Sequence, residues 1–243
     1  QGRGLTSPNP MVGAVVARGD VLIAEGFHER AGGPHAEAVA LIHAGERARG
    51  ATLYVNLEPC NHSGRTPPCV GAIIRAGIRR VVSATRDPNP RVTGGGTAAL
   101  IAAGIEVTTG LLEREARDLN RVFFTAIDRQ RPHVTMKWAM TLDGKIAAFD
   151  RAARWITGPA ARLEAHRLRS QSDAIVTGIG TVLADDPSLT VRLEPPWPRE
   201  PYRVVVDSHA RFPLTAAMLR TGTPGRILVA VGEDAPASPV GGL

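Results

Sequence analysis

The sequence predicts an α/β fold arranged as two domains. Short apolar runs rich in β-branched residues alternate with segments of helical apolar spacing, and this alternation is typical of open sheets covered by helices. The chain has 243 residues, which is long for one compact domain and comfortable for two. The pattern restarts after residues 129–132, the best candidate for a linker. We therefore predict one domain over residues 1–128 and another over residues 133–243.

The first predicted domain begins with two apolar runs separated by Arg18-Gly19-Asp20, a sequence typical of a hairpin turn. A helix is expected to begin at His35, because helical apolar spacing follows the breaking sequence Gly32-Gly33-Pro34. The predicted strands are 11–17, 21–27, 52–57, 80–85 and 106–109, and the predicted helices are 35–49, 70–76, 97–103 and 112–127.

The second predicted domain continues the alternation, and no internal repeat relates it to the first. Its predicted strands are 133–139, 174–177, 202–207 and 226–231, and its predicted helices are 159–169 and 180–184.

Composition narrows the range of partners. The net charge is +6, but the arginines are scattered along the chain and form no long run. A basic excess of this size is compatible with a small anionic substrate, and equally with an arginine-rich proteome. Aromatic residues make up only 4% of the chain, which argues against a surface on which many bases stack. We therefore expect no nucleic-acid partner.

The sequence also predicts a cytoplasmic protein without a membrane partner. The first ten residues lack the apolar core of a signal peptide, and no segment approaches the roughly 18 consecutive apolar residues that a membrane span needs. Cys60 and Cys69 are the two cysteines of the chain. Two thiols in a reducing compartment, in a sequence that also carries a histidine motif, indicate metal binding before a disulfide.

Four residues carry most of the chemical information: His35, Glu37, Cys60 and Cys69. A catalytic zinc takes three protein ligands and leaves its fourth position to water, and one imidazole with two thiolates supplies three ligands. We expect each motif where a loop enters a helix, so that the helix dipole helps to keep the two thiols ionised. Zinc lowers the pKa of the water that it binds from about 15.7 to roughly 7.

Glu37 is the predicted proton shuttle of this site. Its carboxylate could take a proton from water, pass it to a ring nitrogen and then to departing ammonia. The pattern His-x-Glu followed by Pro-Cys is the signature of zinc deaminases that act on cytosine- or adenine-type rings. The alternative is a structural zinc site with His62 as the fourth ligand. That alternative gives Glu37 no role.

The loop from Glu58 to Cys69 reads Glu-Pro-Cys-Asn-His-Ser-Gly-Arg-Thr-Pro-Pro-Cys. It resembles, nearly letter for letter, the zinc loop of the bifunctional riboflavin-biosynthesis deaminase–reductase family, and it departs from the Cys-x-x-Cys spacing usual in zinc deaminases. The sequences at 6–13, 33–37 and 87–90 are similar to motifs of the same family.

The second half is similar to the reductase domain of that family. The matching residues are Lys137, Thr141-Leu142-Asp143-Gly144-Lys145, Trp155-Ile156-Thr157, Arg169, Gln171-Ser172 and 177–187. The resemblance therefore implies a cytidine-deaminase-like α/β/α sandwich followed by a dihydrofolate-reductase-like α/β domain.

This resemblance implies two consecutive reactions of riboflavin biosynthesis. The first half would use Zn²⁺ to deaminate 2,5-diamino-6-(5-phosphoribosylamino)pyrimidin-4(3H)-one hydrolytically at its C2 amino group. The second half would use NADPH to reduce the ribosyl group of the product to ribityl. The implied partner is a small phosphorylated pyrimidine, and enzymes of this layout commonly form homo-oligomers, either dimers or tetramers.

The resemblance also implies binding residues. For the deaminase substrate they are Asn9, His62, Arg65 and Thr66; for the reductase substrate they are Arg169, Leu189 and Arg192; for NADPH they are Ala139, Trp155, Thr181, Asp185 and Ser208. The deaminase set agrees with residue chemistry, since a loop that carries His, Arg and Thr can hydrogen-bond a phosphorylated ligand. Plainer interpretations remain open: Trp155 as a core aromatic residue, Arg169 on a solvated helix face, and Asp185 as the cap of a turn.

Two departures from the family pattern concern the reductase half. Ala153 stands where the family usually has a serine that contacts the substrate, a loss of about 0.5–1.5 kcal/mol for one neutral hydrogen bond. The chain ends at Leu243 without the glycine-rich late loop of the family, and it begins shortly before Thr6. We therefore expect the C-terminal part of the reductase domain, and an N-terminal helix, to be missing.

Three alternatives to the two-step enzyme follow from these observations. The chain could be a polynucleotide deaminase acting on tRNA adenosine or on cytosine. It could be a fragment with deaminase activity only. It could also be a non-catalytic binding module stabilised by zinc, in which Glu37 has no chemical role.

Overall fold

The computed structural model describes residues 2–62, 66–90, 92, 94–149, 155–223 and 225–235. The chain divides into two compact units, Gln1–Thr135 and Met136–Leu243. Each unit has its own sheet, so the predicted α/β class is confirmed. In the described part of the chain, no helix combines the length and the apolar character needed to cross a bilayer.

The first unit is built on a five-stranded sheet of order β2-β1-β3-β4-β5. Its strands are β1 (Gly13–Arg18), β2 (Val21–Phe27), β3 (Thr52–Val55), β4 (Arg80–Ser83) and β5 (Glu106–Thr109). Strand β1 pairs antiparallel with both β2 and β3, whereas β3, β4 and β5 are parallel. The predicted hairpin is present: Gly19 and Asp20 join β1 to β2, and Gly19 takes the positive φ of 57° that such tight turns require.

Five helices accompany this sheet: α1 (Ala36–Ala44), α2 (Cys69–Arg75), α3 (Gly95–Ala102), α4 (Glu113–Leu119) and α5 (Arg121–Arg129). Helix α1 is shorter than predicted because Gly45 has a φ of 55°, and the chain continues from there as a 3-10 turn. The single helix predicted over 112–127 is interrupted at Asn120, whose ψ of 24° departs from the helical value.

The core of the first unit lies between the sheet and these helices. Alternate residues of the central strands face it, as Val16 and Leu53 do with 0% exposure. Helix α1 packs on β1 and β2 through small side chains such as Ala40. Gly26 of β2 allows this close approach, because a Cβ at this position would lie 2.5 Å from the Ala40 nitrogen.

The second unit has a parallel three-stranded sheet of order β6-β7-β8, with helices α6 (Pro159–Ser170) and α7 (Ile179–Asp185). The strands are β6 (Ala174–Gly178), β7 (Tyr202–Val206) and β8 (Ile227–Ala230), and a 3-10 turn spans Ala217–Arg220. Its core is formed by Ile179, Val182, Leu189, Val205, Ala216 and Met218. Strand β6 leads directly into α7, as the sequence predicts for residues 174–184.

The strand predicted over 133–139 is wrong. This segment has no regular secondary structure and pairs with no strand in the described part of the chain. Its alternate residues Val134, Met136 and Trp138 are 75%, 76% and 57% exposed. Apolar residues alternate in the sequence as in a strand, but the intervening Thr135 and Lys137 are exposed as well, and no described strand provides the hydrogen-bonded neighbour that stabilises a strand.

The contact between β2 and α1 can be tested with Gly26→Ala. The added methyl group must displace the helix backbone, so we expect the free energy of unfolding of the first unit to fall by about 1–3 kcal/mol. Chemical denaturation followed by circular dichroism measures this change. Gly13→Ala is the matched control, since a Cβ at Gly13 meets no atom within 4 Å. Equal stability of the two variants would contradict the proposed close packing.

Candidate active site

The three predicted zinc ligands lie where β3 ends and two helices begin. His35 is the residue directly before α1, and Cys69 is the first residue of α2. Cys60 lies in the loop between β3 and α2. The expectation that every motif sits at a helix entry is therefore wrong for Cys60, although its sulfur accepts the backbone N–H of Cys69, the first residue of α2, at 3.4 Å.

The geometry of the group fits a metal ion. The Nδ1 atom of His35 lies 3.2 Å from the sulfur of Cys69 and 3.5 Å from the sulfur of Cys60. One ligand atom from each of the three residues lies within 4.8 Å of the other two, and both cysteines are free. Among the described residues this group does not include His62. Three ligands without a fourth are typical of a catalytic zinc site and not of a structural one.

A hydrogen bond joins the two sulfurs and shifts the pKa values of the two thiols in opposite directions. The hydrogen bond between the thiols lowers the pKa of Cys60 to about 4 and raises the pKa of Cys69. The hydrogen bond to Cys60 also raises the pKa of His35, although burial opposes this change. A divalent cation bound to both sulfurs would displace the thiol proton that remains between them.

Glu37 faces the same site from the first turn of α1. Its side chain is 3% exposed, and burial raises the pKa of its carboxyl group. Residues at positions i and i+2 of a helix point in different directions, but His35 precedes the helix and is extended, with a φ of −75° and a ψ of 156°. This helix start allows His35 and Glu37 to face one site. A buried carboxyl group with a raised pKa suits proton transfer near neutral pH.

Thr66 contacts the imidazole of His35 from the other side. Its hydroxyl oxygen lies 3.2 Å from the His35 Nε2 atom. If Nδ1 binds a metal, Nε2 carries the proton and donates it to Thr66, which fixes the orientation of the ring. Thr66, which the sequence predicts as a substrate contact, therefore contacts a predicted metal ligand in the structure.

Asn9 is oriented by a buried histidine. The His28 Nδ1 atom lies 2.9 Å from the carbonyl oxygen of Pro34, so this nitrogen donates and the Nε2 atom accepts. The Asn9 side-chain nitrogen lies 3.1 Å from that Nε2 atom and donates to it. The His28 ring also meets the His35 ring edge-on, with centroids 5.6 Å apart. Asn9 is thereby linked to the metal-binding group.

Of the other two predicted contacts of the deaminase substrate, His62 lies on the loop before α2. His62 is exposed there, and its charge helps to lower the pKa of Asp87, although burial raises that pKa overall to about 6. Arg65 lies outside the described residues.

The predicted contacts of the reductase substrate lie close together in the second unit. Arg169 donates to the carbonyl oxygen of Thr190 at 3.2 Å, and Arg192 donates to the hydroxyl of Ser188 at 2.9 Å. Leu189 lies between these positions and is buried. Burial lowers the pKa of Arg169, and the charge of Arg192 lowers it further. Two neighbouring guanidinium groups of this kind favour an anionic ligand.

The predicted NADPH contacts are more dispersed. Thr181 and Asp185 lie on α7, and Ser208 follows β7, so Thr181 and Ser208 come soon after the carboxyl ends of two neighbouring parallel strands. Ligands of open α/β sheets commonly bind at that edge. Ala139 lies in the segment 133–139, which pairs with no strand among the described residues. Trp155 is 57% exposed beneath Arg162, which excludes the core-aromatic interpretation.

Two family models match the chain. The model of the cytidine and deoxycytidylate deaminase zinc-binding region matches residues 1–85, and the model of the RibD C-terminal domain matches residues 132–239. The riboflavin biosynthesis protein RibD of Aquifex aeolicus is 51% identical over 232 residues, which cover 96% of this chain and 65% of the relative. RibD of Mycobacterium tuberculosis is 44% identical over 245 residues, which cover 96% of this chain and 72% of the relative. The chain belongs to the RibD family.

A solved structure agrees with this assignment. The diaminohydroxyphosphoribosylaminopyrimidine deaminase/5-amino-6-(5-phosphoribosylamino)uracil reductase of Thermotoga maritima matches with a TM-score of 0.82 at 42% identity, covering 98% of this chain and 68% of that one. The chain thus spans about two thirds of the length of such RibD proteins. The matched zinc-binding region and the His/Cys/Cys group support Zn²⁺ as a cofactor, and the RibD C-terminal domain supports NADPH.

Sequence reasoning missed several residues that shape these RibD sites. Asn120 accepts the backbone N–H of Met11 at 2.7 Å and donates to its carbonyl oxygen at 2.9 Å, and Asn56 donates to the same oxygen at 2.9 Å. These two side chains hold the segment that carries Asn9. An asparagine in the middle of a predicted helix was the available signal, since asparagine is a poor residue for a helix interior.

Two further residues organise the reductase half. The buried guanidinium of Arg203 donates to the carbonyl oxygens of Ser188, Met218 and Thr221 at 3.2, 2.8 and 2.7 Å. His166 accepts the backbone N–H of Arg192 at 3.1 Å. Both therefore support the loop that carries Leu189. The sequence offers no signal for Arg203, because its partners are backbone carbonyl groups 15–20 residues away.

Proposed function

We propose that this chain deaminates 2,5-diamino-6-(5-phosphoribosylamino)pyrimidin-4(3H)-one in riboflavin biosynthesis, and that its second half reduces the ribosyl group of the product with NADPH. The observation that carries the deaminase proposal is the three-residue ligand group beside a buried carboxyl group. His35, Cys60 and Cys69 are the proposed zinc ligands, and Glu37 is the proposed catalytic acid and base.

The chemistry of the first step assigns a role to each side chain. Zinc, when bound, supplies an acidified water near neutral pH. Glu37 would accept one proton of the attacking water and pass it to a ring nitrogen, and would then accept the second proton from the added hydroxyl and pass it to the departing amino group. Asn9, His62, Arg65 and Thr66 are the proposed substrate contacts, and the Asn9 amide is already oriented by His28. The C2 amino group leaves as ammonia, and a carbonyl oxygen derived from water replaces it.

The second step belongs to the second half of the chain. We assign residues 1–128 to the deaminase domain and 133–243 to the reductase domain. Arg169, Leu189 and Arg192 are the proposed contacts of the phosphorylated substrate, supported by the two neighbouring guanidinium groups. Ala139, Trp155, Thr181, Asp185 and Ser208 are the proposed NADPH contacts. The relatives do not favour the polynucleotide deaminase alternative.

The partners and the location belong to the same proposal. The substrate is a small phosphorylated molecule, and neither nucleic acid nor membrane is proposed as a partner. The two free cysteines support a reducing compartment, namely the cytoplasm. A homo-oligomer is supported by apolar side chains on and beside α4 and α5, where Leu112, Leu119 and Val122 are 63%, 41% and 55% exposed.

Glu37→Gln tests the catalytic role separately from metal binding. The amide cannot hold and return a proton, so we expect ammonia release from the diaminopyrimidine ribotide to fall by about 100-fold or more, with one zinc per chain retained. Ammonia assay and elemental analysis measure the two quantities. Cys60→Ala is the matched comparison, because it should lose the zinc and destabilise the first unit. Undiminished turnover by Glu37→Gln would refute the assigned role.

NADPH binding tests the second half. We expect a saturable change in NADPH fluorescence on titration with the protein. The double variant Thr181→Ala, Ser208→Ala should bind about 5-fold to 150-fold more weakly, since each hydroxyl hydrogen bond contributes about 0.5–1.5 kcal/mol. Thr221→Ala is the control, because its hydroxyl donates within the 3-10 turn. The absence of any saturable change would leave the chain a deaminase only.

Light scattering coupled to size-exclusion chromatography tests the proposed homo-oligomer. We expect a dimer or tetramer, and Val122→Lys should shift it towards the monomer, because a buried unpaired charge destabilises an interface. Ile42→Lys is the control, as Ile42 is 76% exposed on α1. A protein that is monomeric at every concentration would contradict the proposal.

A further inference from the structure

Glu58 is a buried carboxylate two residues before Cys60. Its side chain is 3% exposed. One carboxylate oxygen accepts the backbone N–H of Gly94 at 2.9 Å, and the other accepts the N–H of Thr97 at 3.0 Å. The N–H of Asp87 lies 3.5 Å from the first oxygen. The carboxylate therefore joins the loop after β3 to the segment that begins α3.

These contacts replace a cap that α3 lacks. The residue before α3 is Gly94, which has no side chain, and its positive φ of 74° favours glycine there. The N–H groups at the start of a helix have no partner within the helix and are commonly capped by a side chain of the same segment. Glu58 caps the N–H of Gly94 and that of the third helical residue, Thr97, from a different part of the chain.

Gly96 provides a second, independent observation. A Cβ on Gly96 would lie 1.8 Å from the carbonyl oxygen of Pro59, so the start of α3 and the residue before Cys60 are in direct backbone contact. The main chain of Glu58 is fixed as well, because its N–H donates to the carbonyl oxygen of Thr85 at 2.9 Å. Side chain and main chain together leave the Pro59 peptide little freedom.

The position of the Cys60 sulfur depends on this arrangement. Cys60 itself lies outside a helix, although the N–H groups that it accepts belong to the first two residues of α2. Its carbonyl oxygen accepts the N–H of Val70 at 3.2 Å, and its sulfur accepts the N–H of Cys69 at 3.4 Å. These bonds fix Cys60 relative to α2, and the contacts of Glu58 fix the preceding residues relative to α3.

We propose that Glu58 is a positioning residue of the metal site, which holds Cys60 in ligand geometry by docking the preceding loop on the start of α3. The proposal rests on the proposed function, in which Cys60 binds zinc. A carboxylate suits this role because it accepts charge-assisted hydrogen bonds at both oxygens. A glutamine of the same shape offers one accepting oxygen and turns an NH₂ group towards a backbone N–H.

The test measures metal affinity and ligand geometry in the full chain. Zinc affinity is determined by competition with a chromophoric chelator, and the thiolate-to-cobalt absorption bands of the cobalt-substituted protein report the geometry. Glu58→Gln should weaken zinc binding by about 10-fold to 100-fold, the usual effect of removing an outer partner of a metal ligand. Its cobalt bands at saturating metal should also differ from those of the parent protein.

Gly96→Ala is the second variant and leaves Glu58 intact. The added methyl group must push the start of α3 away from Pro59, so it should alter the cobalt bands as Glu58→Gln does. It also decides the question if Glu58→Gln does not fold. Glu113→Gln is the matched control: its carboxylate accepts the Thr85 hydroxyl at 3.3 Å, and both measurements should stay at the parent values.

The outcomes separate this inference from the proposed function. A parent protein that binds no zinc refutes the proposed function. A parent protein that binds one zinc per chain, with folded Glu58→Gln and Gly96→Ala variants that retain its affinity and its cobalt bands, refutes the positioning role alone. A purely structural role for Glu58 would lower the melting temperature without changing the bands at saturating cobalt, and this result would also overturn the proposal.

Discussion

The first unit is organised around one geometric constraint. One imidazole nitrogen and two sulfurs lie within 4.8 Å of one another. The three residues come from the start of α1, the loop after β3 and the start of α2. The antiparallel strand β1 and the parallel strand β4 both pair with β3, so the end of β3 is held on both sides. Helix α1 packs against β1 and β2, and this packing places His35, the residue before α1, near the end of β3.

Burying polar side chains around the site costs free energy, and hydrogen bonds to the surrounding backbone offset this cost. Burying a polar group without a partner costs a few kcal/mol, so each group needs hydrogen bonds. His28, Glu58 and Asn120 are all at most 3% exposed, and each is bonded to backbone groups of another segment. These bonds tie the loops to one another more specifically than apolar contacts could, because each donor requires a particular acceptor. The loops of the site are consequently linked through their buried side chains.

Much of this organisation could be predicted from the sequence, because the relevant signals are local. The hairpin at Gly19 follows from turn residues, and apolar periodicity predicts α1 and α2 with starts one residue from those observed, Ala36 and Cys69. The break at Asn120 and the segment 133–139 were not predictable in the same way. Asn120 is decided by its bonds to Met11, 109 residues away, and a strand is decided by its neighbour in the sheet. Arg203 and Glu58 likewise derive their roles from distant backbone groups.

The pairing of His35 with Glu37 explains why the ligand and the proton carrier can be so close in sequence. An extended residue directly before a helix and a residue in its first turn can face a common point, whereas two residues within the helix at the same spacing cannot. The start of α1 thus determines the chemistry: moving it by one residue towards the N-terminus would bring His35 into the helix and turn its imidazole away from Glu37. Gly33 precedes Pro34 and is therefore disfavoured in the helical conformation, which limits how far the helix could extend in this direction. The catalytic arrangement therefore depends on where a helix begins as much as on which side chains it carries.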